Sequence, residues 1–107
     1  MKSWFGELAE IDQQRVASGK LYGEFLRTES MSAGLYVLAA GSTDAQRPHH
    51  EDEMYYVVRG RGRFRADDKD QEVSAGSMLF VSAEVEHRFY DISEELAMLV
   101  FFAPAES

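Results

Sequence analysis

The chain has 107 residues, a net charge of −8 and no cysteine. That length supports one domain with a single modest core, and the missing thiols exclude disulfides, zinc–thiolate sites and cysteine nucleophiles. The acidic balance argues against a nucleic-acid partner, which needs a basic surface. The start, MKSWFGELAEID, has no signal-peptide character, and no apolar run approaches the ~18 residues that span a bilayer. A soluble cytoplasmic protein is therefore expected.

Residues 1–19 read as helical or irregular, with Leu8, Ile11 and Val16 weakly spaced on one face and Gly19 closing the segment. Trp4 and Phe5 are expected to cover an apolar surface. From Lys20 onward β-formers dominate, in 20–28, 32–40, 54–58, 63–66, 71–74, 78–81, 86–92 and 96–102. These short segments, about eight and separated by Gly or acidic turns, predict an all-β sandwich or barrel rather than βαβ units. Gly60 and Gly62 flank Arg61, which predicts a tight hairpin with positive φ there. Gly76 predicts a turn before Met78, and the DDKD stretch another turn.

Alternation along 53–58 sends Glu53, Tyr55 and Val57 inward and Met54, Tyr56 and Val58 outward. Both faces are apolar. An outer face of Met54, Tyr56 and Val58, joined by Val100 and Phe102 and by the Trp4–Phe5 segment, predicts a homodimer. Arg59, Arg61, Arg63 and Arg65 share one strand face, and Asp67, Asp68, Asp70 and Glu72 are placed to neutralise it. Tyr55, Phe64, Phe80, Phe89 and Phe101 read as core residues, some of them lining any internal cavity.

The three histidines are His49, His50 and His87. In an extended segment His49, Glu51 and Glu53 point to one side, while His50 points to the other. His87 lies on a strand whose inward face would also carry Phe89 and Asp91. Pairing of the two segments would assemble two imidazoles and a carboxylate, a set suited to iron(II) and other divalent metals. Histidines in an acidic loop are also common as solvated surface residues, and spacing alone leaves both readings open.

The spacing continues in both directions. From Gly41, five residues lead to Arg47, one to His49, three to Glu53 and six to Gly60. From Gly76, five lead to Ser82, one to Glu84, two to His87 and three to Asp91. This resembles the two-motif signature of the cupin superfamily, G-x5-H-x-H-x3-E-x6-G and G-x5-P-x-G-x2-H-x3-N, over about Gly34 to Phe102. The resemblance implies a single domain over 1–107, a jelly-roll barrel with its core at about 20–103, behind the short N-terminal segment. It also implies that His49, Glu53 and His87 ligate a divalent transition metal (Fe, Zn, Mn or Ni). The departures are Ser82, Glu84 and Asp91 at turn or framework positions, and Arg47 in place of the first histidine.

A guanidinium cannot ligate a metal. Arg47 is therefore expected to turn outward, towards Asp44, Glu51 or Asp52, or to meet an anionic ligand. A histidine at 47 would add a fourth metal ligand if the loop aims that position inward. If the loop is rearranged, Gln46 or His50 supplies the further ligand; Tyr55 and Phe89 are candidate substrate contacts. No residue is placed clearly enough to name as a catalytic base. Two functions follow: a metal-dependent enzyme acting on a small organic molecule, or a non-catalytic module that binds a small ligand without metal.

Overall fold

A computed structural model describes all of residues 1–107. One helix, α1 (Leu8–Ser18), precedes six strands: β1 (Tyr22–Arg27), β2 (Ser32–Leu38), β3 (Asp52–Ala66), β4 (Lys69–Ser74), β5 (Met78–Val81) and β6 (His87–Ala103). All pairings are antiparallel. The architecture is the all-β jelly roll expected, with one short helix.

Two expected pairs of strands are single long ones. Segments 54–58 and 63–66 fuse into β3, and 86–92 and 96–102 fuse into β6. Gly60 and Gly62 therefore form no hairpin. Gly60 does take a positive φ of 96°, but it does so where the β3–β6 register slips. A Cβ there would lie 2.0 Å from the Glu95 carbonyl oxygen, so the glycine admits the neighbouring strand. On β6, Asp91 has φ +46° and is exposed, contrary to its expected inward placement, while Ile92 takes the buried position. These irregularities let β3 and β6 run through both layers of the roll. Their Asp52–Val57 and Met98–Ala103 ends lie with β1, β2 and β5, and their Arg61–Ala66 and His87–Glu94 ends with β4.

The core between the layers holds Tyr55, Val57, Phe64, Val73, Phe89, Leu96, Met98 and Val100, among others. Inward placement of Glu53, Tyr55 and Val57 agrees with expectation, as do the outward Met54 and Tyr56. Val100 and Phe102, expected outside, are core residues. The Leu96–Phe102 run is wholly apolar, so no polar residue marks its outer face; Leu99 and Phe101 are the half-exposed positions. Phe80, expected in the core, is 59% exposed.

α1 is closed by Gly19 in the left-handed region, and Ile11 packs on Leu35, Val37 and Ala97. Trp4 stacks on Phe25 with ring centroids 5.1 Å apart, whereas Phe5 is exposed. The arginine face is neutralised only partly by the acids expected: Arg63 pairs with Asp70 and Glu72 and Arg65 with Asp70, whereas Arg61 pairs with Glu94 and Arg59 with Glu95 and Asp12, and Asp67 and Asp68 form no ion pair. The α1 helix is not long and apolar enough to cross a membrane.

Candidate metal centre

The site is built where β3 and β6 begin. Glu53 opens the inward face of β3, directly opposite Val81 of β5. Residues 82–86 then carry the chain across to β6, so that His87 faces Glu53. The loop before β3 is stitched to that turn: the Glu84 N–H donates to the His49 carbonyl (2.7 Å), and the Ala83 N–H donates to Asp52 Oδ1 (2.8 Å). Glu84 has φ +69°, at the position where the motif carries glycine. The stitching brings the rings of His49 and His87 to 5.8 Å between centroids. Each of His49, Glu53 and His87 offers a ligand atom within 4.8 Å of the others.

The hydrogen bonding of His87 fixes what its inner nitrogen can do. Nδ1 lies 2.8 Å from the Val85 carbonyl, an acceptor, so it carries the proton. Nε2 is then left 2.6 Å from Glu53 Oε1. That contact lies outside hydrogen-bond geometry, and His87 Nε2 and both Glu53 oxygens are buried without a hydrogen-bond partner. With His87 neutral, an unprotonated ring nitrogen and a carboxylate are in dry contact with no donor between them, an arrangement that repels unless a proton or a cation intervenes. Two imidazoles and one carboxylate are also the donor types that divalent transition metals take. These residues fit a metal ion. Burial disfavours the His87 imidazolium, but the Glu53 carboxylate and Val85 carbonyl outweigh it, so the pKa is raised.

Of the other candidates, Gln46 is brought close: its Oε1 lies 3.3 Å from His49 Nε2 and accepts from the Tyr55 hydroxyl (3.0 Å). Tyr55 and Phe89 are fully buried beside the cluster, with the Tyr55 ring 6.1 Å from that of His87. His50 is exposed, and its Nδ1 lies 2.6 Å from Glu84 Oε1. Arg47 is exposed, but the acids expected to receive it are engaged elsewhere. Asp52 and Glu51 hold the Ala83 and Ser107 N–H groups, and Asp44 is turned inward. Glu51 is buried yet points away from the cluster, towards the C-terminal residues.

Sequence reasoning missed two acids. Asp44 accepts from the Tyr36 hydroxyl (2.7 Å), the Gln46 amide (2.8 Å) and the Phe89 N–H (2.9 Å), pinning the loop to β6. Glu106, beyond the last strand, places Oε2 3.1 Å from His49 Nδ1. Beside His49 lies a cavity of about 160 Å³ lined by Tyr22, Tyr36, Gln46, Val100, Phe102 and Glu106. Gly34 makes room for the Tyr22 ring, which a Cβ there would meet at 2.2 Å. The Tyr22 hydroxyl is buried with no partner, and burial together with Glu106 raises its pKa.

The family model of the cupin domain matches residues 34–103. The chain is a cupin. A relative 46% identical over 94% of this chain and 95% of its own length is the uncharacterized protein SCO3923 of Streptomyces coelicolor. An RmlC-like cupin with a double-stranded β-helix fold from Methanocaldococcus jannaschii superposes with a TM-score of 0.75 at 19% identity, covering 97% of this cupin and 93% of that chain. KdgF from Halomonas sp. gives a TM-score of 0.71 at 17% identity over 78% and 76% of the two chains. The DMSP lyase DddQ from Ruegeria pomeroyi gives 0.71 at 14% identity over 96% and 67%. At such identities the likeness extends to the fold alone.

Proposed function

We propose that this small cupin binds one divalent transition metal through His49, Glu53 and His87, and uses the adjacent cavity for a small organic molecule. The observation that carries the reading is the buried, unpartnered convergence of His87 Nε2 and both Glu53 oxygens. Gln46 Oε1 is the candidate further donor, in place of the histidine that the family has where Arg47 stands. Bound there, a metal would act as a Lewis acid, polarising an oxygen of the ligand. Tyr22 would donate to an oxygen of that ligand, and Val100 and Phe102 would exclude water from one side of it. The Glu106 carboxylate and the overall charge disfavour a strongly anionic ligand.

Whether turnover follows binding is the difference between an enzyme and a ligand-binding module, and this fold hosts both. The test is elemental analysis of freshly purified protein, with chelator competition on the wild type and His87→Ala. One equivalent of metal in the wild type and none in the variant supports the site. A metal-free wild type that takes up none of Fe, Zn, Mn or Ni refutes it and leaves the metal-free binding module.

The homodimer belongs to the same proposal. Met54 pairs with Phe80 and Tyr56 with Met78, so four exposed apolar side chains adjoin on one outer sheet face. Leu99 and Phe101 extend it through their pairing with Tyr56 and Met54. A second copy of the chain would cover this face by isologous contact.

A further inference from the structure

Tyr22 opens β1, outside residues 34–103 that match the family, and its ring packs against the core over Gly34, which has no side chain to block it. The ring forms one wall of the cavity beside His49, edge-on to Tyr36 (centroids 6.2 Å apart, 69°) and to Phe102 (6.4 Å, 81°). Val100 adds a further apolar wall. At about 160 Å³ the space compares with an apolar protein cavity of about 150 Å³ that takes up benzene.

The polar groups around this cavity are engaged with one another, save one. The Tyr36 hydroxyl and the Gln46 amide both donate to Asp44 (2.7 and 2.8 Å), and the Gln46 oxygen accepts from Tyr55 (3.0 Å). Glu106 lies against His49, with Oε2 3.1 Å from Nδ1. The Tyr22 hydroxyl is the exception: it is buried with no hydrogen-bond partner. No lysine or arginine lines the cavity. A carboxylate or phosphate would therefore enter without a counter-charge, and an ammonium would compete with His49 for Glu106. Burying a charge without its own partner is costly. Leaving a buried hydroxyl without an acceptor is costly too, and a ligand oxygen that accepts from it removes that cost.

We infer that the cavity selects a small uncharged ligand, an apolar ring carrying one hydroxyl or carbonyl oxygen, and that Tyr22 sets this specificity by donating to that oxygen. The inference rests on reading the cavity as the ligand site of the proposed function, and it narrows that ligand to one chemical class. It places the selection on a residue that neither cupin motif includes.

The experiment uses the full chain in chelator, so that no metal draws an anion, and the matched probes benzyl alcohol, toluene, benzoate and benzylammonium. Dissociation constants are measured by calorimetry and ligand-observed NMR for the wild type and Tyr22→Phe. In the wild type benzyl alcohol should bind about 10-fold or more tighter than either ion, whose charge finds no free partner. Tyr22→Phe should weaken benzyl alcohol by about 5–10-fold, the yield of one neutral hydrogen bond, and leave toluene within about twofold. A Tyr22 ring that only packs the barrel would move both probes alike or neither. The ranking in the wild type stands whether or not the variant folds. Tighter or equal binding of either ion, an unchanged benzyl alcohol affinity in Tyr22→Phe, or a loss shared by toluene overturns the inference alone. Binding of none of the probes overturns the cavity reading itself, so the two failures are told apart.

Discussion

Replacing His87 by alanine separates the electrostatic and packing roles of the buried pair. His87 and Glu53 have side chains each 1% exposed, with Nε2 and Oε1 2.6 Å apart. In chelator, a proton on His87, favoured by its raised pKa, compensates the buried Glu53 charge, so removing His87 costs about 3–5 kcal/mol by leaving that charge alone. Against a total stability of about 5–15 kcal/mol, His87→Ala should still fold at 25 °C. Its melting temperature in chelator should fall by about 12–20 °C, at ~4 °C per kcal/mol for a domain of this size. Part of that loss is packing, since the ring sits 6.1 Å from those of Tyr55 and Phe64. Glu53→Gln in the His87→Ala background removes the stranded charge and should restore about half the loss, leaving the cavity term. Zinc at ~100 times its Kd should add about 2.7 kcal/mol to the wild type and nothing to either variant. The assay is calorimetry of wild type, both single variants and the double variant, with and without zinc. A double variant no more stable than His87→Ala would refute the stranded-charge reasoning, and a zinc-induced rise in either variant would refute the ligand assignment.

Three further outcomes are expected. The His50 pKa is raised, chiefly by its hydrogen bond to Glu84; the stabilisation is fully present below the ordinary histidine value and is lost as pH rises through the raised one. An NMR titration should show the His50 midpoint dropping in Glu84→Gln, and an unmoved midpoint would dissolve the pair. Gly60→Ala should be far more damaging than Gly76→Ala: both have positive φ, worth about 1–3 kcal/mol, but only at Gly60 would the new Cβ strike backbone, at 2.0 Å. Equal melting temperatures for those two variants would contradict the close approach of Glu95. Light scattering at micromolar concentration should give a dimer for the wild type and a monomer for Met78→Lys/Phe80→Lys; a wild-type monomer would remove the proposed interface.

Much of the barrel was legible because hydrophobic alternation is strong where polar residues mark one face, as in Glu53–Val58. It failed in three physical circumstances. Where every residue is apolar, as in Leu96–Phe102, parity has no marker, and Val100 and Phe102 were placed on the wrong side. Where a strand bends without ending, Gly60 reads as a turn and Asp91 as an inward strand position, although the ladder continues past both bends. Where a polar residue is held by long-range partners, as Asp44 and Glu106 are, local sequence carries no sign of burial: Asp44 reads as a loop acid and Glu106 as a frayed tail. The cluster itself was visible because family spacing fixes which histidines share a face. The loop around Arg47 was not, since its course depends on Asp44 reaching the Phe89 N–H.

The long reach of β6 also bears on how the protein is made. β1 and β2 pair early as neighbours in sequence, but the other edge of β2 finds its partner only when Ser32 meets Phe102 and Leu38 meets Leu96. During synthesis the first hairpin therefore emerges with Leu35 and Val37 uncovered except by Ile11 of the helix. Non-local pairing of this kind is slow and leaves apolar edges exposed to other nascent chains. The barrel can close only after β6 has left the ribosome. Until then Ile11 of α1 is the local cover of that hairpin.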